Sequence, residues 1–214
     1  MTGKRARDDH AKSLKRRALL EAARQLLATT RHDDVSMSQL ARAAGVAKGT
    51  LYLYFSTREE VFVEILTDEL NDWFATLTRV LSEHAGRITP EQVGEAMAGT
   101  LAERATLLEL WARLHPVLEQ NIETSAATEF RRRLRDRLLP LGELMESKVA
   151  QLEPGDGFRV LLWTEALVLG LHQLANPTTA VAKALGALDL AMFRVDFSTE
   201  LARSIATMLR GWRA

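Results

Sequence analysis

Apolar residues recur along this chain with the period of helices. Leu19, Ala22, Ala23, Leu26 and Leu27 fall at i, i+3, i+4, i+7 and i+8. This is one face of a helix, predicted over residues 13–28. Ser36-Met37-Ser38-Gln39 has the form of a capping box and opens a second helix, which Gly45 stops soon after Ala43 and Ala44. A third short helix follows over residues 48–54. Ser56 with Glu59 and Thr57 with Glu60 are overlapping capping boxes for a fourth. Its apolar face is Val61, Phe62, Ile65, Leu66, Trp73, Leu77 and Val80, and it fades near Gly86. Thr89-Pro90-Glu91-Gln92 is another start, with proline at the first helical position. Helical pattern then runs to Leu118, with a break at residues 104–106 and a kink at Pro116. A further helix extends from Ser125 to Leu152, bent at Pro140. Pro154-Gly155-Asp156-Gly157 is a turn. The stretch from Phe158 to Leu174 is apolar nearly all round, which predicts burial on several sides, and Asn176-Pro177 ends it. A last helix starts at Ser198 and carries Leu201, Ile205, Met208, Leu209 and Trp212. No segment alternates with a period of two, so the expected fold class is all-α.

Two short helices joined by a glycine turn, over residues 36–55, match a helix-turn-helix. Leu40, Ala44, Val46, Leu51 and Phe55 would hold it together, and the alanines at 41, 43 and 44 allow close approach. At about 100° per residue, Leu51 and Phe55 of the third helix point inward. Gly49, Thr50 and Leu53 point outward, with Tyr52 and Tyr54 on the flanks. This layout suits a major-groove reader, with small or apolar groups facing base edges and phenols reaching phosphates. Lys48 can donate to either, and the amides opening the second and third helices can hold phosphates. An ordinary helical hairpin with half-buried tyrosines is the competing reading.

Charge bears on these readings, although a solvated, mixed-charge surface would carry it equally well. The chain is neutral overall, yet its first 58 residues carry twelve basic and five acidic side chains. That leaves +7 there and −7 on the remainder, an asymmetry that suits a nucleic-acid-facing region joined to an acidic one. The basic set includes Lys4, Arg5 and Arg7 in an arm over residues 1–12, and Arg58 after the motif.

The run from Ala44 to Phe55 (AGVAKGTLYLYF), followed by Arg58-Glu59-Glu60-Val61, closely resembles the tetracycline-repressor (TetR) family. The resemblance is specific from about Arg16 to Leu66 and looser beyond. It implies a three-helix DNA-binding domain over residues 13–66 and a helical ligand-binding and dimerisation domain over residues 67–214. It also implies a homodimer whose last two helices pair with their mates, here from Phe158 to Leu174 and from Ser198 to Trp212. By motif position, Lys48, Gly49, Thr50, Tyr52 and Tyr54 match family DNA contacts. Ser36 and Ser38 match the phosphate-facing start of the second helix. Two positions depart from the pattern. Ala47 stands where serine or threonine often caps the third helix, a loss of about 1 kcal/mol. Arg58 stands where lysine is common, keeping the charge with a different donor geometry. The DNA-facing set is therefore Ser36, Ser38, Lys48, Gly49, Thr50, Tyr52, Leu53, Tyr54 and Arg58.

The family's second domain often binds a small, largely apolar molecule. Candidate lining residues are Trp73, Met97, Leu101, Leu110, Trp111, Leu114, His115, Trp163, Leu167 and His172, because apolar walls with a few polar groups suit such a ligand. For any one of them plain core packing is the commoner explanation. Arg131, Arg132, Arg133, Arg135 and Arg137 read as a solvated helix face paired with nearby acids. There is no phosphate loop, dinucleotide fingerprint, G-x-S-x-G or H-E-x-x-H, and the five histidines lack ligand spacing. No enzyme, cofactor or metal is expected. With no cysteine, no apolar run long enough to span a bilayer and a charged start in place of a signal peptide, a cytoplasmic protein is expected. The expected function is a homodimeric repressor on a near-palindromic operator, released by a small effector. The alternative is a helical small-molecule carrier or hydrolase that does not use the motif on DNA.

Overall fold

A computed structural model describes residues 2–212 of the chain, with side chains from His10 to Trp212. The side chains of Lys4, Arg5 and Arg7 in the expected basic arm lie outside the described residues. Among the described residues every regular element is helical. The chain divides into two compact units. The first runs to Asp68 and takes in Arg113–Phe130; the second takes Glu69–Ala112 and continues from Arg131 onward.

In the first unit α1 (Thr2–Leu27) begins well before the expected start at Ser13. Its buried face is Leu19, Leu20, Ala23 and Leu27; Ala22 and Leu26 are half-buried. Helix α2 (Met37–Ala43) opens with the expected capping box: Gln39 N donates to Ser36 Oγ, and Ser36 N donates to the Gln39 side chain. It ends where Gly45 takes φ +64°, a left-handed conformation that favours glycine. That turn leads into α3 (Lys48–Tyr52), whose cap residue Ala47 makes no side-chain cap bond. Helix α4 (Arg58–Glu83) starts on one cap, not two. Thr57 Oγ1 accepts from Glu60 N, while the Glu60 carboxylate accepts from Ser56 N. Glu59 turns instead to Arg58. The core gathers Val35, Leu40, Leu51, Phe55, Phe62, Ile65 and Leu66, all nearly inaccessible. His32 is buried with its ring edge-on to Phe62. Arg113–Phe130 completes the unit with a π-helical turn over Leu114–Leu118, at the expected proline kink.

The second unit is built from the rest of α4 with α5 (Pro90–Ala102), α6 (Ala105–Arg113), α7 (Thr124–Lys148), α8 (Asp156–Ala175), α9 (Thr179–Ala184) and α10 (Phe197–Arg210), of which α6 and α7 also reach into the first. The Thr89–Gln92 capping box starts α5 as expected. Helix α10 packs against α5 and, more lightly, α8. The α5–α10 contact is backbone-close at Gly94, where an added Cβ would lie 2.3 Å from Ala202 O. Glu146 caps α8 by accepting from the Gly155 and Gly157 amides at 2.9 and 2.8 Å, a carboxylate at the positive end of the helix dipole.

One expectation fails here. Helix α8 is not buried on several sides: Val160, Leu161, Thr164 and Val168 are buried, but Phe158, Leu162, Trp163 and Leu174 are exposed. The segment between α8 and α10 forms α9 and a 3-10 turn over Leu188–Phe193.

Candidate nucleic-acid interface

The short helix α3 is seated by two anchors. Leu51 and Phe55 are both nearly inaccessible, four residues apart and thus on one side of the helical turn. Bonds from Leu53 N to Thr50 O, Tyr54 N to Leu51 O and Phe55 N to Leu51 O carry the turn to Phe55, three residues past the helix proper. Arg16 of α1 secures this anchor, its guanidinium 4.8 Å from the Phe55 ring centre and 2.8 Å from Glu64 of α4. Nothing local in the sequence marks Arg16 for this, because its partners are distant in the chain, Phe55 just past α3 and Glu64 on α4.

The opposite side of α3 faces solvent. Leu53 is 76% exposed and Tyr52 48%; Lys48 and Gly49 are exposed, and Thr50 and Tyr54 are half-buried. Lys48 Nζ lies 5.8 Å from the centre of the Tyr52 ring. A Cβ added at Gly49 would meet nothing within 4 Å. Packing within the free chain therefore gives no reason for glycine, although glycine weakens a helix relative to alanine. Ser36 and Ser38 are exposed at the start of α2, with the Ser36 hydroxyl engaged by Gln39.

Arg58 differs from the rest of the expected DNA-facing set. Its Nη1 donates to Val35 O at 2.7 Å and Asp33 O at 3.3 Å, and its Nε donates to Glu59 at 2.7 Å. The guanidinium thus ties the start of α4 to the loop that feeds α2. It does not project freely as a phosphate ligand would.

The expected ligand-lining residues are spread over both units. Trp73, Met97, Leu101, Leu110 and Trp111 are core of the second unit. The Trp73 and Trp111 rings sit 5.5 Å apart, their indole nitrogens donating to Thr100 and Glu165. Leu114 and His115 belong to the first unit; Leu114 is buried, while His115 is exposed against Glu119 at 2.9 Å. Trp163 lies at the surface against Trp212 and lines a cleft of about 350 Å³ with Arg159 and Met208. Leu167 and His172 are half-buried, His172 edge-on to Phe197. A second cleft, of about 610 Å³, is lined by Glu69, Arg79, Thr100, Glu103 and Arg104, and by none of the expected residues. Among the described residues no group of three histidines or carboxylates is placed to hold a metal, and no helix is long and apolar enough to cross a membrane.

A helix-turn-helix with an exposed second helix, carried with an all-helical second unit in one chain, defines a DNA-binding transcription regulator. The model of the bacterial regulatory proteins of the tetR family matches residues 19–65, and that of the tetracyclin repressor-like C-terminal domain matches residues 67–214. The chain belongs to the TetR family, whose members are transcriptional regulators and not enzymes. Among its relatives is the HTH-type transcriptional regulator RutR of Escherichia coli strain K12, 36% identical over 76 residues, which are 36% of this chain and 34% of RutR. The fatty acid metabolism regulator protein of Bacillus subtilis is 27% identical over 67 residues, 31% of this chain and 34% of that protein. This chain therefore matches about a third of the length of each. Two solved structures share the fold over nearly their whole length. The TetR family repressor AlkX from Dietzia has a TM-score of 0.58 at 18% identity, covering 92% of this chain and 95% of AlkX. The fatty acid degradation regulator FadR from Bacillus halodurans has a TM-score of 0.56 at 20% identity, with the same coverages.

Proposed function

We propose that the protein is a homodimeric transcriptional repressor whose two α3 helices enter major grooves of a near-palindromic operator. The observation that carries this is the outward face of α3. Lys48, Gly49, Thr50 and Leu53 stand where base edges would lie, and Tyr52 and Tyr54 stand where phosphates would. Ser36 and Ser38 add phosphate contacts. Arg58 acts as a brace and not as a contact, for the reason given above.

The dimer seam is the exposed side of α8. Phe158, Leu162, Ala166, Gly170 and Leu174 fall on it at steps of four residues, with Trp163 alongside. Helix α10 joins it as the second member of the bundle. The effector is a small, largely apolar molecule that binds the second unit, releasing DNA only through unequal affinity for two conformations. Trp73 and Trp111 must part for a molecule to enter between them, so their fluorescence reports its binding.

Selection of bound duplexes from a random pool tests the reading. The expected product is a sequence of two inverted half-sites about one helical turn apart or somewhat more. For any duplex, affinity should fall with salt at about −0.9 in slope per phosphate contacted. A pool that stays random, with no salt dependence, would favour a carrier that does not use the motif.

A further inference from the structure

The segment between α8 and α10 has a helical backbone, α9 and a 3-10 turn, and no buried side chain. Residues 178–194 are all exposed except Leu185 and Leu190, which are half-buried. Local bonds hold it. Ala182 N donates to Thr178 O and Leu185 N to Val181 O in α9, and Leu190 N donates to Ala187 O in the following turn. The Arg194 side chain closes the segment on itself, its Nε donating to Leu185 O at 2.7 Å. The loop so formed presents Leu188 at 94% exposure, Met192 at 82% and Phe193 at 61%.

This is not the composition of a solvated linker, which would be rich in charge and poor in large apolar groups. Its only charged residues are Lys183, Asp189 and Arg194. Fixing a backbone costs roughly 1–2 kcal/mol per residue, and within the chain only the half-burial of Leu185 and Leu190 offsets it. An ordered loop with an apolar tip requires a surface to cover that tip.

We infer that this loop is an arm that docks on a second copy of the chain, against the exposed α8 stripe. The inference rests on the homodimer proposed above and adds the arm to its α8 seam. Two observations favour a second copy. The arm begins four residues after Leu174, at the end of the stripe, and a two-fold pair can bury the arm of each on the stripe of the other. The area also fits. Leu188, Met192 and Phe193 with Leu162, Trp163 and Leu174 leave on the order of 800 Å² uncovered, close to the roughly 800 Å² that each partner gives to a standard interface.

The test uses the full-length protein in sedimentation equilibrium. The double variant Leu188→Asp/Met192→Asp changes two fully exposed positions, so the single chain should keep its fold, checked by its helical spectrum and melting. Its dimer dissociation constant is expected to rise at least about tenfold over wild type. Gly170→Arg, at an exposed position where an added Cβ meets nothing within 4 Å in the single chain, tests the helix seam separately. If Gly170→Arg dissociates the dimer but the arm variant dimerises as tightly as wild type, the arm assignment is wrong and the homodimer stands. A wild type that is monomeric at micromolar concentration removes both. Because the chain has no cysteine, one environment-sensitive fluorophore on Met192→Cys reads the arm directly. It should leave water with the same concentration dependence as dimerisation. A probe shielded instead by phosphatidylcholine vesicles in dilute monomer would overturn the assignment.

Discussion

Replacing Arg58 with methionine keeps the aliphatic stem and removes the guanidinium. Three bonds are lost, to the Val35 and Asp33 carbonyls and to Glu59. Bonds to charged groups contribute about 1.5–3 kcal/mol each when buried. The Arg58 side chain is about one-third exposed, so solvent screening reduces each bond well below that figure. A loss of about 2 kcal/mol in the first unit is the working value, with Glu59 left to find water. The loop before α2 then loosens, and α3 loses its fixed position on DNA. Affinity for an operator-like duplex should fall about tenfold or somewhat more through lost preorganisation. The salt dependence should not change, because no phosphate contact has been removed. Fluorescence anisotropy over a series of salt concentrations, alongside thermal melting, reads both quantities. Lys48→Met is the control and should lower the slope by about 0.9 without lowering the melting temperature. If Arg58→Met instead lowers the slope by about one while melting is unchanged, the brace assignment is refuted.

The other predictions concern single positions. Gly49→Ala should raise the stability of the first unit by up to about 1 kcal/mol in chemical unfolding and weaken operator binding, because the added methyl meets nothing in the free protein; tighter binding would contradict close approach to DNA. Gly94→Ala should destabilise the second unit by about 1–3 kcal/mol, read by urea unfolding, because its Cβ would sit 2.3 Å from Ala202 O. Asp196 caps α10, and its hydrogen bonds with the Thr199 hydroxyl and then the Thr199 amide hold its carboxyl below the ordinary 3.8. A lowered folded value means that its stabilisation is complete above that ordinary value and is lost as pH falls through the folded one. The stability gap between wild type and Asp196→Asn should therefore be constant near neutral pH and shrink below about pH 4; a gap that widens in acid would reverse the sign.

What could be read from the sequence was local. The box Ser36–Gln39, the box Thr89–Gln92, the glycine turn at Gly45 and the four-residue spacing of Leu51 and Phe55 each act within one or two helical turns. Their geometry follows from the residues themselves. The same locality sets the outward face of α3, since fixing two anchors on a short helix fixes the rest of its circumference. Tertiary structure decided whatever depends on distant partners. Arg58 reads as one more cation after a DNA-binding motif until folding brings the Val35 and Asp33 carbonyls to its fork. Trp73 and Trp111 read more readily as core than as pocket wall, and their burial with rings 5.5 Å apart makes them core in this conformation. The stretch from Phe158 to Leu174 shows the limit most plainly. Its composition demands burial, but hydrophobicity has no direction, and only the packed chain shows which side of α8 is covered and which, with the Leu188 loop, is left exposed.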